Sequence, residues 1–177
     1  GMTPLEGLVM GTRVGDIDPG LLFHLMKEED WSVDTLADFL NKKSGLQGLS
    51  GIGNDMRAII DKAAEGDQNC RLALNVFTHQ IRKYIGAYTT VMGGVDAIIF
   101  TGGIGENSSV VRHRVCQRLH FLGAANDEDL NRAVQVNSSH PIGTFSEELS
   151  MVKLLVVQTD EQLAIAAEVA KLVAKMD

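Results

Sequence analysis

The sequence is short of basic residues and has no long apolar run. Its 177 residues include 16 Lys and Arg against 23 Asp and Glu, which gives a formal net charge of −7. Proteins that bind nucleic acid use a basic patch to displace phosphate counterions, and no dense Lys/Arg stripe occurs here. The longest apolar stretches, Ala97–Phe100 and Val152–Val157 with its one Lys, are strand-sized, whereas a membrane span needs about 20 residues. The composition therefore argues against a nucleic-acid partner and against a membrane partner.

Cysteine is scarce as well, because Cys70 and Cys116 are the only two thiols. They show no CxxC spacing, and both lie among apolar neighbours in predicted helices. We therefore expect reduced core residues rather than a disulfide or metal ligands, a pattern that favours a cytoplasmic protein. The chain is 45% hydrophobic and 22% charged, which is enough apolar material for a folded core, and its length fits one domain.

Apolar spacing and capping residues predict a helix-rich chain. The stretch Thr3–Glu6 is a capping box with Pro at the first helical position, so it predicts a short helix that ends near Gly11. An irregular, glycine-rich loop follows. The next predicted helices span Asp18 to about Lys27, Ser32 to about Lys43, Asn54 or Asp55 to Gly66, and Asp67 to about Met92.

Two buried strands are predicted in the second half of the chain, and each of them feeds a helix. Capping residues and glycines mark where those helices begin and end. The predicted segments are the strand Val95–Thr101, a tight turn at Gly102–Asn107, a helix from Ser108 to about Leu122, a short helix near 127–132, a polar connection over 135–143, the strand Met151–Gln158, and a last helix from the capping box at Thr159 to about Ala174.

Strands that feed helices through polar or Gly-rich turns are typical of an α/β fold with a parallel sheet. Two strands do not make a stable sheet alone, so we expect further strands before residue 1. Residues 1–177 are then a single partial domain. Its open sheet edge invites pairing or strand swapping between chains.

The segment Gly102–Asn107 is the strongest candidate for a binding site. A buried strand, a Gly-rich turn and a helix N-terminus bring backbone N–H groups together and favour an anion such as phosphate. No Lys follows as in a P-loop, and the spacing is not the GxGxxG of dinucleotide-binding folds. The local sequence favours an ordinary strand-to-helix turn equally.

Arg13 is the second candidate, because it lies in a Gly-rich loop among carboxylates. A guanidinium held in such a loop is suited to a bidentate grip on phosphoryl oxygens, and phosphoryl transfer depends mainly on positioning and on charge neutralisation. The alternative, which the local sequence favours, is a surface ion pair with Asp16 or Asp18.

Three further candidates lie at predicted helix starts. Asp55 is suited to accept a hydrogen bond from a ribose or an amino group, and Arg57 is suited to stack on an adenine. Glu161 follows a strand, at the edge where α/β folds bind ligands, and is suited to hold Mg²⁺. For all three, the local sequence alone favours helix capping or a charge placed on the helix dipole.

These pieces occur together, and in this order, in one known family. From end to end, the chain resembles the acetate kinases and their propionate kinase relatives. The stretches that carry the resemblance are TPLEGLVMGTRVGDIDP (Thr3–Pro19), NDMRAI (Asn54–Ile59), KYIGAY (Lys83–Tyr88), GGVDAIIFTGGIGENS (Gly93–Ser108) and TDEQLAI (Thr159–Ile165).

The resemblance implies the two-domain acetate-sugar kinase/Hsp70/actin fold, which is ribonuclease H-like, with the active site in the cleft. It implies Mg²⁺-dependent phosphoryl transfer from ATP to acetate, giving ADP and acetyl phosphate, by a cytoplasmic homodimer. Arg13 then matches the transition-state arginine, Pro4 falls in the pocket for the short-chain carboxylate, and Glu161 matches the Mg²⁺ ligand. The residues that match the adenine-nucleotide site are Asp55, Met56, Arg57, Gly103, Ile104, Gly105, Glu106 and Asn107.

The family's N-terminal domain and its first phosphate loop have no counterpart in these 177 residues. Catalysis depends on groups that converge from both sides of the cleft, so we expect the segment alone to be inactive or nearly so. The alternatives are a propionate kinase segment, or a non-catalytic module for dimerisation or nucleotide binding.

Overall fold

The computed structural model describes residues 1–173, which form a helix-rich fold around a small sheet. A single 3₁₀ turn, His120–Leu122, interrupts the second half. The elements are α1 (Pro19–Glu28), α2 (Val33–Lys42), α3 (Gly45–Ser50), α4 (Met56–Glu65), α5 (Gln68–Met92), β1 (Ala97–Phe100), α6 (Gly102–Asn107), α7 (Ser109–Cys116), α8 (Glu128–Ala133), β2 (Ile142–Thr144), β3 (Lys153–Val157) and α9 (Glu161–Val173).

Side-chain caps fix where the longer helices begin, as the sequence predicts. The N–H of Thr35 donates to Ser32 Oγ at 3.1 Å at the start of α2, and the N–H of Cys70 donates to Asp67 Oδ1 at 2.8 Å at the start of α5. Gly93 takes a left-handed conformation (φ 76°) that ends α5. The predicted helices that correspond to α1, α2, α4 and α5 are therefore confirmed.

The sheet contains three strands in the order β1-β3-β2. β1 and β3 are parallel, with Ile98 opposite Leu154, which confirms the predicted parallel pair. β2 runs antiparallel to β3, with Ile142 opposite Val157, and it begins within the segment 135–143, for which the sequence predicts a polar connection. The three residues of β2 are too few to show a periodic pattern, so the sequence does not reveal this strand.

β1 is an edge strand, since within residues 1–173 it pairs only with β3. Its residue Ile99 is 57% exposed, although its neighbours Ile98 and Phe100 are buried. An edge strand with an exposed apolar residue is a favourable surface for pairing with a further strand. Pairing between chains stays a prediction.

The core lies between α5, α7 and the sheet, where Leu74, Val115 and Leu154 are almost fully buried. Both cysteines are free and buried in this core, as the sequence predicts. Burial raises the pKa of the Cys116 thiol to about 12, so this thiol stays neutral and unreactive at neutral pH.

The predicted N-terminal helix is wrong, because residues 1–18 contain no helix. The N–H of Leu5 does donate to the Thr3 hydroxyl, but at 3.4 Å, and Gly7 takes φ 111°, which no helix allows. Gly7 is paired with Asp16 instead: its N–H donates to Asp16 Oδ1 at 2.9 Å, and its carbonyl accepts from the Asp16 N–H at 2.9 Å. A pairing across nine residues thus replaces the helical hydrogen bonds.

The tight turn predicted at Gly102–Asn107 is also wrong, since this segment forms the short helix α6. Gly102 enters it with φ 72°. Ser108 is extended and separates α6 from α7, and its hydroxyl accepts from the Val111 N–H at 3.3 Å. α7 stops at Cys116 rather than near Leu122.

The last helix begins where the sequence predicts, but Asp160 caps it rather than Thr159. Asp160 Oδ1 accepts from the Leu163 N–H at 2.8 Å, whereas the Thr159 hydroxyl donates to Glu106. The predicted end near Ala174 lies outside the described residues. Within residues 1–173, no helix combines the length and the apolar content needed to cross a membrane.

Candidate functional site

A cleft of about 510 Å³ opens between the start of α4 and the α6–α7 segment. This volume is in the range of small-molecule sites in proteins. Six of the eight residues predicted for the adenine-nucleotide site line it, so the fold brings together two segments that are far apart in sequence. These six are Asp55, Met56, Arg57, Gly103, Ile104 and Asn107, beside Asn54, Ile60, Asp61, Ser108, Ser109 and Val110.

The α4 side of the cleft carries a charged pair, Asp55 and Arg57, next to apolar side chains. Asp55 caps α4 by accepting from the Arg57 N–H at 2.9 Å, which confirms the capping interpretation. The Arg57 guanidinium also donates to Asp55, from Nη2 to Oδ2 at 3.0 Å, and this contact lowers the pKa of Asp55. The Arg57 side chain is 88% exposed, so one face of the guanidinium remains available for stacking. Met56 is buried, and Ile60 is partly buried.

The α6 side of the cleft presents bare backbone at Gly103. A Cβ at this position would meet no atom within 4 Å, so a ligand has room to approach the main chain closely. Asn107 Nδ2 donates to the Gly103 carbonyl at 2.9 Å and thereby closes α6. Ile104 packs against the hydrophobic core and supplies an apolar wall.

Gly105 and Glu106 do not line this cleft. A Cβ on Gly105 would lie 3.3 Å from the Phe100 carbonyl carbon, so Gly105 allows α6 to pack closely on β1. The Glu106 carboxylate accepts hydrogen bonds from Gly102 and from Thr159. These bonds, with that of the Thr159 hydroxyl foremost, hold the pKa of Glu106 below its usual range.

Arg112 holds α6 from the buried side of the helix, and the sequence does not reveal this role. The side chain is buried, and its Nη1 donates to the carbonyls of Gly105 at 2.9 Å and Glu106 at 2.8 Å. Its Nε donates to Asn131 Oδ1 at 2.7 Å, and the guanidinium carbon lies 5.5 Å from the centroid of the Phe145 ring. Arg112 falls within the predicted helix from Ser108, and no local spacing identifies these partners.

The loop that carries Arg13 is fixed to α2 and α3 by backbone hydrogen bonds. The N–H of Leu46 donates to the Met10 carbonyl at 2.9 Å, and the N–H of Val14 donates to the Leu40 carbonyl at 3.0 Å. Gly45 makes this packing possible, since it has φ 63° and its missing Cβ would lie 2.8 Å from the Arg13 carbonyl oxygen. The backbone around Arg13 is therefore held in a defined path.

The alternative interpretation of Arg13, an ion pair with Asp16 or Asp18, is wrong. Asp16 accepts hydrogen bonds from Tyr84 and Gly7, and Asp18 caps α1 by accepting from the Gly20 N–H at 2.8 Å. Arg13 is exposed and takes part in none of the ion pairs found within residues 1–173.

Arg13 lines a groove of its own rather than the cleft. Gly11, two residues before Arg13, packs against Asn54, since a Cβ on Gly11 would lie 2.9 Å from Asn54 Nδ2, and Asn54 lines the cleft. Pro4 and Glu161 are exposed and also lie outside the cleft. The structure thus joins six of the predicted residues in one cleft and leaves Arg13, Pro4 and Glu161 outside it.

Glu161 is an exposed carboxylate in the first turn of α9. In the part of the chain that the structure describes, no three His, Cys, Asp or Glu residues are grouped as a metal site. Mg²⁺ is often held by one or two carboxylates together with water and substrate phosphates. A lone Glu161 therefore fits an ion that arrives with a nucleotide, and does not fit an ion held by the protein alone.

Comparison with known proteins yields one consistent family. The family model described as "Acetokinase family" matches residues 1–167. The acetate kinase of Clostridium novyi (strain NT) is 49% identical over 175 residues, which cover 99% of this chain and 42% of the relative.

Solved structures are similar as well. The acetate kinase of Porphyromonas gingivalis superposes with a TM-score of 0.89 at 40% identity, over 98% of this chain and 42% of that structure. A propionate kinase from Francisella tularensis gives a TM-score of 0.84 at 38% identity, over 94% and 41%. The chain thus spans about two fifths of the length of the relatives it matches.

Proposed function

Because the chain belongs to the acetokinase family, we propose that it forms the adenine-nucleotide side of an acetate kinase active site. The complete reaction moves the γ-phosphoryl group of ATP onto a carboxylate oxygen of acetate, giving ADP and acetyl phosphate. The observation that carries this proposal is the cleft between α4 and α6, which gathers Asp55, Met56, Arg57, Gly103, Ile104 and Asn107.

The chemistry of the cleft suits adenosine on its α4 side. Ile60 and Ile104 offer apolar surface to a flat base, and the exposed guanidinium of Arg57 is able to stack on it. Asp55 supplies carboxylate oxygens for a ribose hydroxyl or an amino group. The bare backbone at Gly103 lets the sugar or a phosphate approach closely.

Arg13 is proposed to neutralise charge on the transferred phosphoryl group. It carries a permanent positive charge on a loop whose backbone is held by α2 and α3, and no carboxylate in residues 1–173 forms an ion pair with it. A prepositioned cation of this kind stabilises charge that develops during phosphoryl transfer. Pro4 is proposed to contact the short-chain carboxylate.

Glu161 is the residue that would hold Mg²⁺, with phosphate oxygens and water as the other ligands. Bound there, Mg²⁺ would neutralise charge on the nucleotide phosphates. The cytoplasm is the proposed location, because both thiols are buried and free and ATP is the proposed substrate. A homodimer or strand-swapped oligomer is the proposed assembly, given the exposed edge of β1.

The 177-residue polypeptide is proposed to bind nucleotide without turning it over at kinase rates, because phosphoryl transfer needs groups on both sides of a cleft. Calorimetric titration with ADP in the presence of Mg²⁺ tests the binding, with inorganic tripolyphosphate as the control that lacks adenosine. We expect ADP to bind and tripolyphosphate to bind far more weakly. Equal affinities, or no ADP binding, would contradict the proposal.

Turnover is tested separately, by trapping acetyl phosphate as the hydroxamate. We expect a rate indistinguishable from the buffer blank for the 177-residue polypeptide. Turnover at ordinary kinase rates, about 1–100 per second, would contradict the proposed need for both sides of the cleft.

A further inference from the structure

Glu106 connects the glycine-rich helix α6 to the turn between β3 and α9. Its Oε1 accepts from the Gly102 N–H at 2.8 Å, from the Thr159 hydroxyl at 2.7 Å and from the Thr159 N–H at 2.9 Å. Gly102 is the first residue of α6, and Thr159 stands two residues before Glu161. One carboxylate oxygen therefore joins the helix that lines the cleft to the turn that leads into the proposed Mg²⁺ ligand, Glu161.

The charge of Glu106 strengthens this connection. Its bonds to Thr159 and Gly102 lower the pKa of Glu106, with the Thr159 hydroxyl contributing most, while partial burial opposes them. The carboxylate is accordingly ionised at neutral pH. Hydrogen bonds to an ionised acceptor are shorter and stronger than bonds between neutral groups, which agrees with the 2.7 Å distance to the hydroxyl.

The other end of α6 is held independently by Arg112, which donates to the carbonyls of Gly105 and Glu106. The Glu106 backbone is thus fixed to the buried interior, and its side chain reaches out to Thr159. Because Asp160 caps α9 next to Thr159, the first turn of α9 follows the position of Thr159. The hydrogen bonds from Arg112 to Glu106 and from Thr159 to Glu106 together fix where α9 starts relative to α6.

We propose that Glu106 is a positioning residue rather than a nucleotide ligand, and that it sets the separation between the Gly103 backbone and the Glu161 carboxylate. The inference rests on the proposed function. A nucleotide held by the Gly103 backbone and, together with Mg²⁺, by Glu161 would contact both elements, so it would bind best when their separation is fixed beforehand.

The test is a double-mutant cycle in the 177-residue chain, with ADP affinity measured by calorimetry, once with Mg²⁺ and once with EDTA. Glu106→Ala removes the connecting carboxylate. Thr159→Val removes only the hydroxyl donor, keeps the shape of the side chain and leaves the N–H in place. Glu148→Ala is the matched control, because Glu148 is exposed and lies in neither α6 nor the turn between β3 and α9.

With Mg²⁺ we expect Glu106→Ala to weaken ADP binding about tenfold, near the lower end of what a charge-assisted hydrogen bond contributes. We expect Thr159→Val to weaken it about threefold, a smaller loss because the Thr159 N–H still donates to the carboxylate. In the double variant, Thr159→Val is expected to add nothing further, because its partner is already gone. With EDTA, the loss of ADP affinity caused by either variant is expected to fall below about twofold, because without Mg²⁺ the nucleotide is no longer held by Glu161. Glu148→Ala is expected to leave ADP affinity unchanged in both conditions.

Three results would overturn the inference. The first is a normal affinity in both single variants. The second is a loss for Glu106→Ala that is equally large with EDTA, and the third is additive losses from the two substitutions, as for a direct nucleotide ligand. Absence of ADP binding in the unsubstituted chain would instead overturn the proposed function, and this inference with it.

Discussion

The hydroxyl of Tyr84 donates to Asp16 Oδ2 at 2.8 Å, although 68 residues separate the two in sequence. Asp16 also accepts from the Gly7 N–H and lies 3.6 Å from Lys83 Nζ. These contacts, with Tyr84 first, hold the pKa of Asp16 below its usual range. They tie the loop on either side of Arg13 to the middle of α5, so the position of Arg13 depends on a partner that no local pattern reveals.

Tyr84→Phe removes this donor. We expect the free energy of unfolding to fall at pH 7, because the Asp16 carboxylate loses a donor and a hydrogen bond to a charged group stabilises more than one between neutral groups. The folded-state pKa of Asp16 is depressed, so its stabilisation is present above the unfolded value of about 3.9 and is lost as pH falls through the folded value. The free energies of unfolding of Tyr84→Phe and of the unsubstituted chain, measured in urea, should therefore differ at pH 7 and become more similar below pH 4.

Tyr88→Phe is the control for this experiment, because Tyr88 lies on the same helix, is 58% exposed and forms no side-chain hydrogen bond within residues 1–173. Its unfolding should match that of the unsubstituted chain. A Tyr84→Phe effect no larger than that of the control would show that the contact with Asp16 does not stabilise the fold.

Gly45→Ala should disrupt the Arg13 loop. Gly45 and Gly51 both have positive φ, at 63° and 72°, but only a Cβ on Gly45 would meet backbone atoms, among them the Arg13 carbonyl oxygen at 2.8 Å. Gly51→Ala should cost about 1 kcal/mol, from the backbone conformation alone. Gly45→Ala should cost about 1–3 kcal/mol more, from overpacking. Equal melting temperatures for the two variants would contradict the close approach of the loop.

Arg112→Met should destabilise the chain strongly, because it leaves the carbonyls of Gly105 and Glu106 and the amide of Asn131 without their buried donor. We expect a loss of about 3 kcal/mol or more in denaturant unfolding. Arg132→Met is the matched control, since Arg132 forms exposed ion pairs with Glu128 and Asp129. Its loss should be small, because exposed ion pairs contribute little to stability, and similar losses in both variants would contradict the role of Arg112.

Gly103→Val should weaken ADP binding and leave the stability of the fold nearly unchanged. The new side chain would point into open space in the cleft, so we expect little change in the melting temperature and a loss of ADP binding of tenfold or more, about 1.4 kcal/mol. Gly86→Ala is the control, because Gly86 lies in α5 and its Cβ would also meet nothing within 4 Å. ADP affinity should be unchanged in Gly86→Ala. Unchanged affinity in Gly103→Val would place the nucleotide elsewhere.

The parts of the fold that depend on neighbouring residues could be predicted from the sequence. Asp67 caps α5 through the Cys70 N–H, three residues away, and Gly93 ends the same helix, so local rules suffice. Strands β1 and β3 could be predicted because each is a buried apolar run. The predicted N-terminal helix failed because Gly7 is held by Asp16, a partner beyond the reach of capping rules.

The candidate site divides in the same way. Asp55 and Arg57 are neighbours in sequence, and their capping role could be read directly. The bonds of Glu106 to Thr159 and of Arg112 to Asn131 join residues 53 and 19 positions apart, so no spacing pattern contains them. The family resemblance placed Glu106 with the nucleotide loop, whereas its carboxylate is turned toward β3 and α9.

The most direct test of the account is a titration of the isotopically labelled 19.2 kDa chain with Mg-ADP, followed by ¹H–¹⁵N NMR. The account predicts that the largest amide shift changes fall in two segments, 54–61 and 102–110, which are the two sides of the cleft. Gly103→Val should abolish these changes. Shift changes concentrated in the separate groove along 34–42, or no changes at millimolar ADP, would contradict the claim that this chain forms the nucleotide side of the active site.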